Sequence, residues 1–181
     1  MKSHFSRCEW QVRLSSARLP YRAWLADRGS LTRRLKERCP AFRVRPLRQE
    51  LDRPLPDERA RVGLRPGELA LVREVYLLCG EMPVVFAHSV LMPGDLRGVW
   101  NSVSRQGAKP LGEALFSDPR VLREPLEYRA LGRHHALYRR ASRLLADPPA
   151  QLWARRSLFS LQARPLLVTE VFLPAVLELG P

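Results

Sequence analysis

The stretch RPLLVTEVFLP, residues 164 to 174, is apolar on both sides of an extended chain and yet carries a glutamate. Strand side chains alternate between two faces, so Leu166, Val168, Glu170 and Phe172 share one face and Leu167, Thr169, Val171 and Leu173 the other. Faces this apolar belong to a strand covered on both sides, which puts Glu170 inside. An ionised carboxylate there needs a cation, hydrogen bonds or a proton of its own. The stretch ELALVREVYLLC, residues 68 to 79, repeats the anomaly: Leu69, Leu71, Arg73, Val75, Leu77 and Cys79 share a face on which Arg73 is the polar member. Its guanidinium keeps its charge, and its planar fork suits a carboxylate. Either the two charges form an internal salt bridge, or a twisted strand lets one reach water, or the sheet face lines a closed pocket. In the last case Arg73 holds a ligand carboxylate and Glu170 a ligand hydroxyl or proton.

Elsewhere the patterns are those of an α+β domain. PYRAWLADRG reads as a helix, and Ser30 caps a second one that carries Leu31 and Leu35 on one side. AFRVRPLRQEL reads as a strand interrupted by Pro46, and DRPLPDERARVGLRPG as a polar connection. ELALVREVYLLC and VVFAHSVLM form a hairpin about GEMP. Leu96, Val99, Trp100 and Val103 lie at helical spacing, and AKPLGEALFSDP reads as a loop. VLREPLEYRAL is an edge strand disturbed by Pro125. HHALYRRASRLLADPP is a helix with Leu137, Ala141, Leu144 and Leu145 inward and Arg139, Arg140 and Arg143 outward. QLWARRSLFSL and LLVTEVFL close a second hairpin about QARP. Strands joined by hairpins, with helices between some of them, give one domain over residues 1–181 on an antiparallel sheet.

Composition narrows the function. The formal charge is +13, and all but Lys2, Lys36 and Lys109 of the 31 basic residues are arginines. A basic chain suits nucleic acid, an anionic membrane or an anionic small substrate. No zinc-finger, RNP or Gly-rich nucleic-acid motif accompanies the charge, so specific nucleic-acid binding is not expected. The basic face of the 134–146 helix reads as a solvated surface. No apolar run approaches the ~18 residues of a span, and no signal-like core opens the chain, so the expectation is a cytoplasmic protein without membrane insertion. Cys8, Cys39 and Cys79 are far apart without CxxC, and the histidines lack ligand spacing, so neither a disulfide nor a metal is expected. His88 and Ser89 are adjacent on a strand and point to opposite faces, which argues against a Ser/His nucleophilic pair.

LVREVYLLC, KPLGEALF, LWARRS and RPLLVTEVFLP, in this order and spacing, resemble the chorismate lyase family from about Trp24 to Pro174. The resemblance implies a six-stranded antiparallel sheet with helical flaps over a buried ligand. It also implies a cofactor-independent lyase that converts chorismate to 4-hydroxybenzoate and pyruvate at the start of bacterial ubiquinone synthesis; a monomer is expected. Carried over by position, it makes Arg73 and Glu170 the ligand-binding and catalytic pair, and Leu31 and Leu111 further binding positions that can contribute only backbone groups. His88 stands where the family pattern has an arginine, which makes it a candidate secondary anion contact. Residues 123–152 exceed the shortest members in length. The alternatives are a non-catalytic effector-binding domain of the same fold and a generic Arg-rich nucleic-acid binder. The first is disfavoured because only about two dozen residues precede the matched region, too few for a helix-turn-helix domain.

Overall fold

In the computed structural model, which describes residues 9–14, 20–101 and 109–180, one antiparallel sheet forms the frame. Cys8 and Val103 lie outside the described residues. The strands are β1 (Phe42–Asp52), β2 (Ala70–Cys79), β3 (Met82–Leu91), β4 (Leu122–Arg123), β5 (Glu127–Gly132), β6 (Gln151–Leu161) and β7 (Arg164–Phe172). Their order is β1-β2-β3-β7-β6-β4, with β5 also paired to β6. The count is seven instead of six because the edge strand breaks around Pro125, which has no N–H for the ladder, into β4 and β5 along the same β6.

Local chemistry explains the connections. Pro46 sits at a register shift between Pro46 and Arg48, as a strand proline should. The β6–β7 hairpin turns on Gln162 and Ala163, both at positive φ (49° and 60°), the geometry of a tight two-residue turn whose twist matches its strands. Helix α1 (Arg22–Ala26) is followed by α2 (Leu31–Arg38), where the Ser30 hydroxyl accepts from the Arg33 N–H at 3.4 Å. Helix α3 (Pro56–Arg59) lies in the β1–β2 connection, α4 spans Leu111–Ser117 and α5 spans Ala136–Ala141.

Three expectations need correction. The KPLGEALF region is the helix α4, entered from Pro110, with Leu111 and Leu115 buried at i, i+4 spacing. Leu144 is exposed, because the chain passes into a 3-10 turn after Ala141 and the inward stripe stops there. Cys39 and Cys79 form a disulfide with 5.8 Å between their Cα atoms, across 40 residues of sequence. Separation in sequence conceals the pair: Cys39 follows α2 and Cys79 ends β2, and the β1–β2 register, with Phe42 opposite Cys79, returns the chain to the same place.

Both sheet faces are covered. β2 is buried from Ala70 to Leu78, as a central strand without a water-facing side must be. One face packs Val75, Leu77 and Phe172 against Trp24, Leu25, Leu31 and Leu35 of α1 and α2. Further along it, Leu71, Leu91, Phe159 and Leu166 pack against Trp100, Leu111 and Leu115. The opposite face packs Tyr76, Phe86, Ala154 and Val171 against Leu137, Tyr138 and Ala141, and Val72, Val90 and Leu167 against Val62 and Leu64.

Candidate active site

Between the two apolar clusters on the α1/α2 side of the sheet lies a cavity. Its floor includes Arg73, Val75, Ala87, Ser157, Val168 and Glu170, and its roof Leu31 and Thr32 of α2 with Leu111, Gly112 and Leu115 of α4. The strand parity read from sequence therefore holds: Arg73 and Glu170 face one enclosed space. They sit on β2 and β7 with β3 between them, and Arg73 is opposite Ser89 while Glu170 is opposite Ala87. Two interstrand spacings and a two-residue offset separate their Cα atoms by about 12 Å, leaving room for a ligand between their side chains.

The partner of Glu170 is a residue that sequence reasoning missed. Arg155 lies directly opposite it on β6, and its Nε donates to Glu170 Oε2 at 2.5 Å. The Nη1 of Arg155 donates to the carbonyls of Trp24 (2.9 Å) and Asp27 (2.5 Å), so one guanidinium ties Glu170 to the end of α1. Arg155 is fully buried, whereas the Glu170 side chain keeps 19% of its surface accessible beside the cavity. Glu170 Oε1 accepts no hydrogen bond from a described residue, which leaves it open to a ligand. The signal was present in the hairpin itself: a turn on Gln162 and Ala163 pairs Leu161 with Arg164, and counting back pairs Arg155 with Glu170.

Arg73 is also buried, and its Nη2 donates to the Lys109 carbonyl at 3.1 Å, in the segment that leads into α4. Burial pushes its pKa down, as for any cation withdrawn from water. Leu31 and Leu111 both line the roof, each the first residue of its helix. The helices approach closely at Gly112, where a Cβ would come within 2.8 Å of Thr32 Oγ1. Lys36 of α2 and Glu113 of α4 are joined by an ion pair.

His88 does not belong to this site. Its neighbours Ala87 and Ser89 line the cavity, but the alternation turns the imidazole to the other face. There Nδ1 lies 2.9 Å from Glu74 Oε1 and Nε2 lies 3.1 Å from Glu58 Oε1. Burial alone would lower its pKa, but the two carboxylates outweigh it and raise the value to about 9. The expected secondary anion contact at His88 is thus corrected: the residue is an internal cation already neutralised by two glutamates. The same alternation keeps it away from Ser89, as expected. No group of His, Cys, Asp and Glu among the described residues could hold a metal ion. No helix among them is long and apolar enough to cross a membrane.

A sheet face roofed by two short helices, with charged groups directed into an otherwise apolar enclosure, defines a single-domain α+β protein built to hold a small polar ligand. The chain belongs to the chorismate lyase family, whose model matches residues 5–178. It is 50% identical over 170 residues to a probable chorismate pyruvate-lyase of Nitrosomonas europaea, covering 94% of this chain and 96% of that protein. It is 52% identical over 174 residues to one from Aromatoleum aromaticum, covering 94% of each. Among solved structures, the PhnF C-terminal domain superimposes with a TM-score of 0.56 at 12% identity, covering 71% of this chain and 80% of that one. The effector domain of PhnF from Mycobacterium smegmatis gives 0.53 at 13% identity, covering 81% and 89%. These two likenesses concern the fold alone.

Proposed function

We propose that this protein is a chorismate lyase and that the roofed cavity is where chorismate is split into 4-hydroxybenzoate and pyruvate. The observation that carries the assignment of the site is that Arg73 and Glu170, on separate strands, converge on one enclosed space. Chorismate has a ring carboxylate and, across the ring, a hydroxyl. Arg73 takes the carboxylate through its planar fork. Glu170 accepts the hydroxyl through Oε1 while Arg155 holds Oε2 in place. Leu31 and Leu111, which line the roof, would meet the ligand from above through their backbone groups.

In the reaction a proton leaves the ring carbon that bears the hydroxyl, its electron pair forms the new ring double bond, and the neighbouring C–O bond breaks. The enolpyruvate departs with the electron pair of that bond, and protonation of its methylene carbon gives pyruvate. Aromatisation of the ring supplies the drive, and Glu170, beside the hydroxyl carbon, is the group placed to move the proton. The roof excludes water, which strengthens each charged contact inside. Release of 4-hydroxybenzoate requires α2 and α4 to draw apart, which makes product release a slow step. The reaction belongs to the cytoplasm, where a dianionic metabolite and a basic protein meet without a membrane to cross.

Incubation of the purified protein with chorismate is the test. Equal amounts of 4-hydroxybenzoate and pyruvate are expected; a folded sample that releases neither overturns the enzyme reading in favour of a non-catalytic ligand-binding domain.

A further inference from the structure

Chorismate carries two carboxylates, and Arg73 answers one of them. A second cation lines the cavity. Arg123 lies on β4, opposite Phe159 of β6, and is half-buried. Its Nε donates to Ser157 Oγ at 3.2 Å and its Nη1 to the Arg28 carbonyl at 2.6 Å. Its guanidinium carbon stands 5.2 Å from the ring centroids of both Phe116 and Phe159. Neutral acceptors and two aromatic rings thus hold it in place, and among the described residues no carboxylate forms an ion pair with it. The Glu170 and Asp27 carboxylates act on this partly buried cation only at longer range, so it keeps the capacity to bind an anion directly.

Its position fits one end of the substrate. Arg123 holds the carbonyl of Arg28, and Arg155 holds the carbonyl of the preceding Asp27, so the two guanidinia are neighbours. Arg155 in turn holds Glu170. Arg123 therefore stands on the Glu170 side of the cavity, and Arg73, on β2, stands on the other. In chorismate the enolpyruvyl ether is on the ring carbon next to the hydroxyl carbon, and the ring carboxylate is across the ring. A ligand with its hydroxyl at Glu170 and its ring carboxylate at Arg73 directs its second carboxylate toward Arg123. Charge agrees at this end among the described residues: Arg123 and Arg155 against Glu170 leave one positive charge for the second carboxylate, the nearby Asp27 carboxylate being held by Arg34 at 3.0 Å.

The geometry points to Arg123 as a further substrate-binding residue, the anchor for the enolpyruvyl carboxylate that leaves as pyruvate. This rests on the chorismate lyase reading above. It assigns the second anion contact to β4 rather than to His88. It also implies that the substrate makes one charged contact more than the aromatic product, which keeps its contacts to Arg73 and Glu170 and loses the one to Arg123.

The product lacks the second carboxylate, and that difference makes the test. Arg123→Met keeps an apolar stem between Phe116 and Phe159, and it should raise KM for chorismate by about 30-fold or more. The Kd of 4-hydroxybenzoate, measured by titration, should change less than about threefold, because the contacts it uses are intact. Arg123→Lys, a cation without the fork, should recover part of the substrate affinity and leave the product Kd within the same threefold. Equal weakening of substrate and product, or no change in either, overturns the assignment, since a merely structural arginine moves both together. If Arg123→Met does not fold, the Lys variant decides by the same substrate-to-product ratio. Failure of the wild-type protein to convert chorismate is a separate outcome that removes the parent reading, whatever the variants do.

Discussion

The two faces of the sheet bury charge in opposite ways. Adjacent residues of one strand serve both, since Arg73 faces the cavity and Glu74 the other side, and Arg155 faces the cavity and Arg156 the other side. On the far side the charges are answered. Glu74 is held by Arg48, Arg140 and His88, and His88 also by Glu58, while Arg156 lies between Asp57 and Glu127. These contacts keep the Glu74 carboxyl well below its usual range against the opposing effect of its burial. On the cavity side Arg155 pairs with Glu170, while Arg73 and Arg123 line the space at opposite ends. Buried charge alone does not mark a site; surplus charge beside a space does.

This contrast can be broken in four places. The largest effect is expected from Arg73→Ala: kcat/KM for chorismate should fall by about 100- to 1,000-fold, the scale of removing a charge-assisted hydrogen bond from a dry pocket. Thermal stability should barely move, and a variant that stays active would take Arg73 out of the site. Removing the disulfide by Cys39→Ala should cost roughly 2 to 4 kcal/mol of stability in urea unfolding, because a 40-residue loop is released in the unfolded chain. An unchanged midpoint would refute the link.

On the far face, His88→Gln should cost on the order of 3 kcal/mol near neutral pH, with kcat/KM within about threefold of wild type. The pH dependence carries the sign. The His88 pKa is raised from 6.5 to about 9 in the folded protein, so its contribution is complete below pH 6.5 and is lost as pH rises through 9. The depressed pKa of Glu74 acts at the other end, where its contribution is lost as pH falls through and below the ordinary carboxylate range. Wild type should therefore lose stability between pH 6.5 and 9 relative to the Gln variant; parallel curves would mean that His88 is not charged inside. The smallest effect is expected at the roof. Gly112→Ala must push Thr32 aside and should raise KM by about three- to tenfold through a looser fit of α4 on α2, a cost of about 1 kcal/mol. An unaltered KM would show that the roof yields freely.

Much of this arrangement is legible in the sequence where side-chain parity governs. Arg73 and Glu170 could be placed on an inward surface because every neighbour two residues away is apolar, and the same alternation separated His88 from Ser89. What parity does not supply is the partner. Which strand lies beside β7 depends on the hairpin register, and Arg155 emerges only once that register is counted. Arg123 was less visible still, since β4 is two residues long and offers no period to read. The disulfide and α4 were hidden for related reasons. One is a contact made by topology rather than spacing, and the other is a seven-residue helix whose two buried leucines resemble a loop touching the core.

The split between Arg73 and Glu74 also bears on how a chain like this can vary over time. Inserting or deleting one residue before Arg73 within β2 would exchange the two, delivering a carboxylate to the ligand and a guanidinium to a nest of cations. Point changes in this strand can be tested singly by selection, but changes of length there invert two charges at once. The register shift between Leu77 and Leu78 lies beyond the charged pair, toward the hairpin. Length variation near that turn can be absorbed without reaching Arg73, so indels among related chains are expected to collect on the turn side of Leu77 and to spare the residues from Leu71 to Val75.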